Sequence, residues 1–209
     1  MTGRKPGSPA GTEGYGEAAA ALAEQYESVS FAEVHREMLD LFPSRPGTVL
    51  DIGAGSGRDA AALAGLGHRV LAVEPTAELR SLGRRIHADR AIEWIDDSLP
   101  ELRVLRGRDE RFDLILLTAV WMHLDSRQRE SAMAGIAGLL APGGQVFLSL
   151  RHGPVPAGRR MYDVSPDETT ALGRHHGLDP VRLAEREDLH GRPGVRWSCL
   201  GLRRNADAD

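Results

Sequence analysis

The chain has 209 residues, 41% hydrophobic and 27% charged, with a formal net charge of −4. That balance fits one globular domain with a sizeable core and excludes both a disordered chain and a strongly basic nucleic-acid module. A single cysteine, Cys199, excludes a disulfide framework and a multi-cysteine zinc site; a single lysine, Lys5, against 25 arginines excludes a Schiff base in the folded region.

Residues 1–14 hold Gly3, Pro6, Gly7, Ser8, Pro9, Gly11 and Gly14 without apolar periodicity, and read as a flexible tail. They lack the apolar stretch of a secretory signal, and no run in the chain reaches the roughly 20 apolar residues of a membrane helix, so a cytoplasmic setting is expected. Ala18 to Tyr26 and Phe31 to Leu41 are predicted as two helices forming a cap over residues 15–45; Val34, Met38 and Leu41 recur at helical spacing in the second. Strands and helices then alternate across a core predicted over residues 46–204, before a short tail at 205–209. Thr48–Ile52, Arg69–Val73, Ala91–Ile95, Asp113–Thr118 and Gln145–Leu150 read as strands. Arg58–Leu66, Thr76–His87 and Ser126–Leu140 read as helices between them. Ser165 caps a helix from Pro166 to His176, and Leu178–Ala184 and Val195–Leu202 are the last strands. Alternation of this kind predicts a doubly wound α/β fold with a mainly parallel sheet.

The strongest local signal is Val49-Leu50-Asp51-Ile52-Gly53-Ala54-Gly55-Ser56-Gly57-Arg58. A strand runs into a glycine-rich turn that opens a helix, where free N–H groups face a ligand. The next strand ends in Glu74, placed to accept two ribose hydroxyls, so the pair implies a nucleoside-containing ligand. The dinucleotide pattern Gly-x-Gly-x-x-Gly is not met, because position 58 is Arg. Asp51 would also repel a pyrophosphate but attract an α-amino group. The residues thus favour a nucleoside joined to an amino acid over a nicotinamide dinucleotide.

With Val73-Glu74-Pro75, Asp96-Asp97-Ser98-Leu99-Pro100, Phe112-Asp113-Leu114-Ile115 and Leu140-Ala141-Pro142-Gly143-Gly144 following in order, the chain resembles the class I S-adenosylmethionine-dependent methyltransferases. The resemblance implies a Rossmann-like seven-stranded sheet with one antiparallel strand. It implies that Asp51, Gly53 and Gly55 hold the methionine part of S-adenosylmethionine and Glu74 its ribose. Asp96 or Asp97, with Ser98, would meet the adenine; Asp96–Asp97 also fits a helix cap. Ala54, Gly57, Arg58, Pro75 and Thr118 complete the implied cofactor set. Tyr26 is a further candidate, because the segment before the core often folds over the cofactor in this family.

Residues beyond the fourth and fifth strands face the ligand crevice of an open parallel sheet. His123 is therefore a candidate base or acceptor-orienting group, and Trp121 a candidate stacking surface. Arg151 is placed to meet an anionic substrate and His152 to act on its acceptor atom. A structural role is the alternative for each of these. Scattered histidines and one cysteine make a metal site unexpected. The leading reading is methyl transfer to a small-molecule acceptor. An RNA-modifying methyltransferase and a non-catalytic S-adenosylmethionine-binding protein are the alternatives. The first draws on the arginines at 80, 84, 85, 103, 106, 108 and 111, against which stands the negative net charge.

Overall fold

The computed structural model describes residues 11–206. Seven strands form one sheet: β1 (Thr48–Ile52), β2 (Arg69–Val73), β3 (Ile92–Ile95), β4 (Phe112–Leu117), β5 (Leu140–His152), β6 (Leu178–Glu187) and β7 (Arg196–Arg204). Their order is β3-β2-β1-β4-β5-β7-β6, with β7 antiparallel to both of its neighbours and the other pairings parallel. The order reverses between β1 and β4, and a crevice opens there beyond the carboxyl ends of the strands.

The helices are α1 (Ala19–Glu27), α2 (Phe31–Val34), α3 (Arg58–Gly65), α4 (Ala77–Ile86), α5 (Arg103–Arg106), α6 (Ser126–Leu139) and α7 (Pro166–His175). Strand alternation divides the apolar side chains between the two faces of the sheet. Leu50, Ile52, Leu71, Val73, Ile115 and Leu117 enter one core, with Met133 and Ile136 of α6. Val49, Val70, Ala72, Leu114 and Leu116 enter the other, with Ala60 and Leu63 of α3. Both faces are covered, which is why β4 reads as a nearly unbroken apolar run. α1 lies on α4 through a small third cluster of Ala19, Ala23 and Leu79.

Three elements depart from the sequence reading. The helix predicted over Phe31–Leu41 breaks at His35 into α2 and a 3₁₀ segment, Arg36–Leu41. There the His35 ring turns inward to the buried carboxylate of Asp59, at 2.8 Å. β5 begins at Leu140 instead of Gln145, because the Ala141-Pro142-Gly143-Gly144 turn is absorbed as a register shift against β4. α5 is a short helix that the sequence reading does not include. Its Val104 and Leu105 N–H groups donate to Asp97, too far back in sequence to be read as a local cap. Residues 1–10 of the predicted tail lie outside the described residues. Residues 11–14 are in contact with the core: the Arg159 guanidinium donates to the Glu13 carbonyl at 2.8 Å.

Candidate active site

The glycine turn sits where β1 ends. The N–H groups of Gly53 and Ala54 donate to the Val73 carbonyl at 2.8 and 3.0 Å, which ties the turn to the end of β2. Gly53, Gly55 and Gly57 take φ values of 72°, 58° and 90°, in the left-handed region that side chains disfavour. A Cβ on Gly53 would lie 2.5 Å from Val120, and one on Gly57 2.7 Å from Trp94. These two glycines let protein pack on the turn, so the second takes part in folding and not in lining the crevice. Gly57, a cofactor candidate from sequence, is thus a packing position outside the cavity lining.

A cavity of about 450 Å³ follows the strand ends from β2 to β6. Asp51, Gly53, Ala54, Gly55, Arg58, Glu74, Pro75, Ser98, Thr118, Tyr26, His123 and Arg151, all expected from sequence, line it. Asp51 is 2% exposed, and its Oδ2 has no hydrogen-bond partner among the described residues. Burial, and then the Asp59 carboxylate, push its pKa well above the ordinary carboxylate range; Arg58 and the Ala60 N–H pull the other way. A buried, unpartnered carboxylate oxygen is a costly arrangement, and a ligand ammonium would satisfy it.

Glu74 accepts the Gly55 N–H at 2.9 Å on one oxygen and the Thr76 N–H at 2.7 Å on the other. The Thr76 hydroxyl is a third donor to the carboxylate, which leaves one of its four lone-pair sites for a ligand hydroxyl. Burial raises its pKa, against the Thr76, Gly55 and Arg80 contributions. Asp59 is a further lining residue, outside the sequence candidates. Its carboxylate accepts from Arg58 Nε at 2.7 Å, His35 Nε2 at 2.8 Å and the Thr118 hydroxyl at 2.7 Å. Burial opposes its charge, but His35 and Arg58 outweigh burial and hold it well below the carboxylate range. Its sequence signal is an acid in the first turn of an alanine-rich helix directly after the glycine turn.

The N-terminal cap closes over this floor. Arg58 donates to the Tyr26 carbonyl and Ser56 to Glu27, at 3.2 and 2.6 Å. The Tyr26 ring would lie 3.1 Å from a Cβ on Gly55, so it roofs the turn. Further along the cavity, Ala119 holds a left-handed φ of 60° and donates its N–H to Ser149 Oγ at 2.7 Å. Backbone strain of this kind concentrates at functional sites.

His123 stands beyond Ala119. Its Nδ1 is 2.8 Å from the Arg160 carbonyl, which can only accept, so Nδ1 carries the proton. Nε2 then holds a lone pair and accepts the Tyr15 hydroxyl at 3.0 Å. Burial lowers the His123 pKa, opposed by its bond to Arg160, so the neutral base form prevails at neutral pH. Tyr15 also lines the cavity, with the Arg159 guanidinium 3.8 Å above its ring. Nothing in the local sequence marks Tyr15, which is brought in across 108 residues.

Besides Gly57, four sequence candidates do not line the cavity. His152 follows Arg151 on β5, and strand alternation turns it to the opposite face, where its Nε2 meets Ser198 Oγ at 2.8 Å. Trp121 is fully buried in the larger core. Asp97 spends both oxygens on the N–H groups of Ser98, Val104 and Leu105, the capping alternative. Asp96 is exposed and pairs with Arg80 at 2.7 Å. Among the described residues one cluster has metal-ligand geometry, Glu130, His175 and His176, away from the cavity lining and mostly exposed.

A methyltransferase domain family model matches residues 49–144. This span is a class I S-adenosylmethionine-dependent methyltransferase domain. The chain is 30% identical over 141 residues to the cypemycin N-terminal methyltransferase of a Streptomyces species, covering 66% of this chain and 55% of that protein. It is 29% identical over 168 residues to a ubiquinone biosynthesis O-methyltransferase of Roseobacter denitrificans, covering 71% of this chain and 66% of that one. The alignments thus span about half to two thirds of these relatives. In fold, the chain is similar to the Burkholderia thailandensis 1,6-didemethyltoxoflavin-N1-methyltransferase, solved with 1,6-didemethyltoxoflavin and S-adenosylhomocysteine. The TM-score is 0.64 at 24% identity, covering 90% of this chain and 89% of that one.

Glu74→Ala should weaken binding of S-adenosylhomocysteine by about 1.5–3 kcal/mol, roughly ten- to a hundredfold. Calorimetric titration measures this directly, and an unchanged affinity would reduce Glu74 to a support for the Gly55 and Thr76 N–H groups.

Proposed function

We propose that the chain transfers a methyl group from S-adenosylmethionine to a small-molecule acceptor. The observation that carries this is one cavity lined by the unpartnered Asp51 carboxylate, Glu74 and the His123–Tyr15 pair. Asp51 would take the cofactor's ammonium and Glu74 a ribose hydroxyl. Ser98 and Leu99, which also line the cavity, would meet the adenine. When bound, the cofactor supplies a methyl group on a sulfonium, already reactive toward a nucleophile.

The protein's part is alignment and exclusion of water. Tyr26 covers the glycine turn, and Gly11 packs against His123, where a Cβ would come within 2.9 Å of the ring-bearing carbon. Residues 11–15 therefore help to close the cavity over the base. His123 Nε2 is the atom that would accept a proton from the acceptor, directly or through the Tyr15 hydroxyl. The Arg160 carbonyl would stabilise the imidazolium so formed through Nδ1–H.

Relatives include an enzyme named as a cypemycin N-terminal methyltransferase and one named for O-methylation in ubiquinone biosynthesis, which supports a small-molecule acceptor without choosing its atom. The arginine runs give RNA less support than their number suggests. Arg80 is paired with Asp96 and Arg108 with Glu93, at 2.7 and 2.6 Å. No helix among the described residues is long and apolar enough to cross a membrane.

The first test is titration of the protein with S-adenosylmethionine and, separately, NADH. Binding of the former at micromolar to submillimolar Kd is expected, about −5 to −8 kcal/mol. NADH binding alone would overturn the reading. Formation of S-adenosylhomocysteine with an acceptor then separates an enzyme from a protein that only binds the cofactor.

A further inference from the structure

The cavity changes its charge along the sheet. Its β2 and β1 side carries Glu74, Asp51 and Asp59 against Arg58; its β5, β7 and β6 side carries Arg151, Arg159, Arg186 and Arg192 against Asp188. Asp188 is committed to Arg192, at 2.6 Å, and to the Trp197 Nε1–H, at 2.9 Å. Arg159 is occupied with the Tyr15 ring and the Glu13 carbonyl. Arg186 lies 5.1 Å from the Trp197 ring centroid, and its Nε is unpartnered.

Arg151 is the least satisfied of the four. It is 7% exposed, yet donates only to the Gly153 carbonyl at 3.4 Å and to the Met161 sulfur at 4.0 Å. Its Nε has no partner, and among the described residues no carboxylate lies within ion-pair distance. Burial and the nearby Arg192 both disfavour its charge, and Asp188 offsets this only in part. A buried guanidinium without a counter-ion is costly, and a ligand oxyanion meeting its fork would satisfy it bidentately.

We propose that the acceptor is an anion whose oxyanion group, a carboxylate or a phosphate, is held by Arg151, with Trp197 and Met161 lining the space beside it. The inference rests on the methyl-transfer reading for the word acceptor, and on Arg151 alone for the anion. It gives Arg151 a specificity role: neutral analogues of the same shape leave the guanidinium unpaired.

The test is titration of the S-adenosylhomocysteine complex with acetate, benzoate and inorganic phosphate, each carboxylate compared with its neutral amide, acetamide or benzamide. At least one oxyanion is expected to bind about tenfold or more tightly than the amides in the wild type, and to lose that advantage in Arg151→Met. The better of carboxylate and phosphate identifies the oxyanion. Equal binding of anions and amides, no binding of any anion, or an advantage that survives in Arg151→Met would each overturn the proposal. S-Adenosylhomocysteine binding to Arg151→Met, alongside its thermal midpoint, reports that the variant is folded. If S-adenosylhomocysteine fails to bind the wild type, the methyl-transfer reading falls. The same anion titration on the free protein then still decides the role of Arg151.

Discussion

His123→Ala should lower turnover by about 10²- to 10⁴-fold, the usual contribution of a positioned general base, while leaving the affinity for S-adenosylhomocysteine unchanged. The geometry supports both halves. Nδ1–H is fixed on the Arg160 carbonyl, so the neutral ring presents its lone pair at Nε2, toward Tyr15 in the cavity. None of the contacts of Asp51, Glu74 or Asp59 passes through His123. Tyr15→Phe separates a relay from a spectator: a relay predicts a loss comparable with that of His123→Ala, a spectator a small change. Because burial lowers the His123 pKa, its base form persists as pH falls below the ordinary imidazole value. The midpoint of the acid-side decline in turnover should therefore lie below the ordinary imidazole value of about 6.5. An acceptor that carries no proton at the attacked atom would leave His123→Ala near wild-type turnover, and that result would remove the base from the mechanism.

The two candidates next to one another on β5 show where sequence reading runs out. Arg151 and His152 have the same claim on the crevice from sequence, since both follow an apolar strand. Alternation guarantees that only one of them faces it, but β5 is buried on both faces, so its pattern gives no polar phase to read. The pairing with β7, Arg151 opposite Trp197 and His152 opposite Arg196, decides the matter. Trp121 fails for a related reason: a residue beyond a strand end is near the crevice without pointing into it.

By contrast, the turn from Asp51 to Arg58 and the acid at Glu74 are legible because local chemistry constrains them. Three left-handed backbone positions demand glycine, and the strand–turn–helix sequence fixes which groups face the ligand. Tyr15, Arg159, Arg192 and Trp197 leave no such trace. They reach the cavity from both ends of the chain, and each is an unremarkable residue in its own segment. The half of the cavity proposed for the cofactor is thus written locally, and the half proposed for the acceptor is assembled by tertiary packing.

Asp51→Asn should raise the thermal midpoint of the free protein at neutral pH and weaken S-adenosylhomocysteine binding by about tenfold or more, opposite signs from one isosteric change. The stability half follows from linkage. Burial and Asp59 raise the Asp51 pKa in the fold, so the folded protein resists its ionisation. That penalty is absent below the unfolded value near 3.9, grows as pH rises toward the raised folded value, and is complete above it. Asparagine carries no such penalty and keeps an oxygen for the Ala60 N–H. The midpoints of the two proteins should therefore converge at low pH and separate as pH rises. The binding half follows from the same unpartnered oxygen: an ammonium favours the carboxylate over the amide. Wild-type binding should then release a proton where the free carboxyl is still protonated, seen as a buffer-dependent heat, and Asp51→Asn should abolish that release. A lower midpoint at neutral pH with unchanged affinity would mean that Asp51 serves the fold and not the ligand. The expected pair of opposite changes would mean that the cavity keeps a buried charge at the expense of stability because the cofactor needs it.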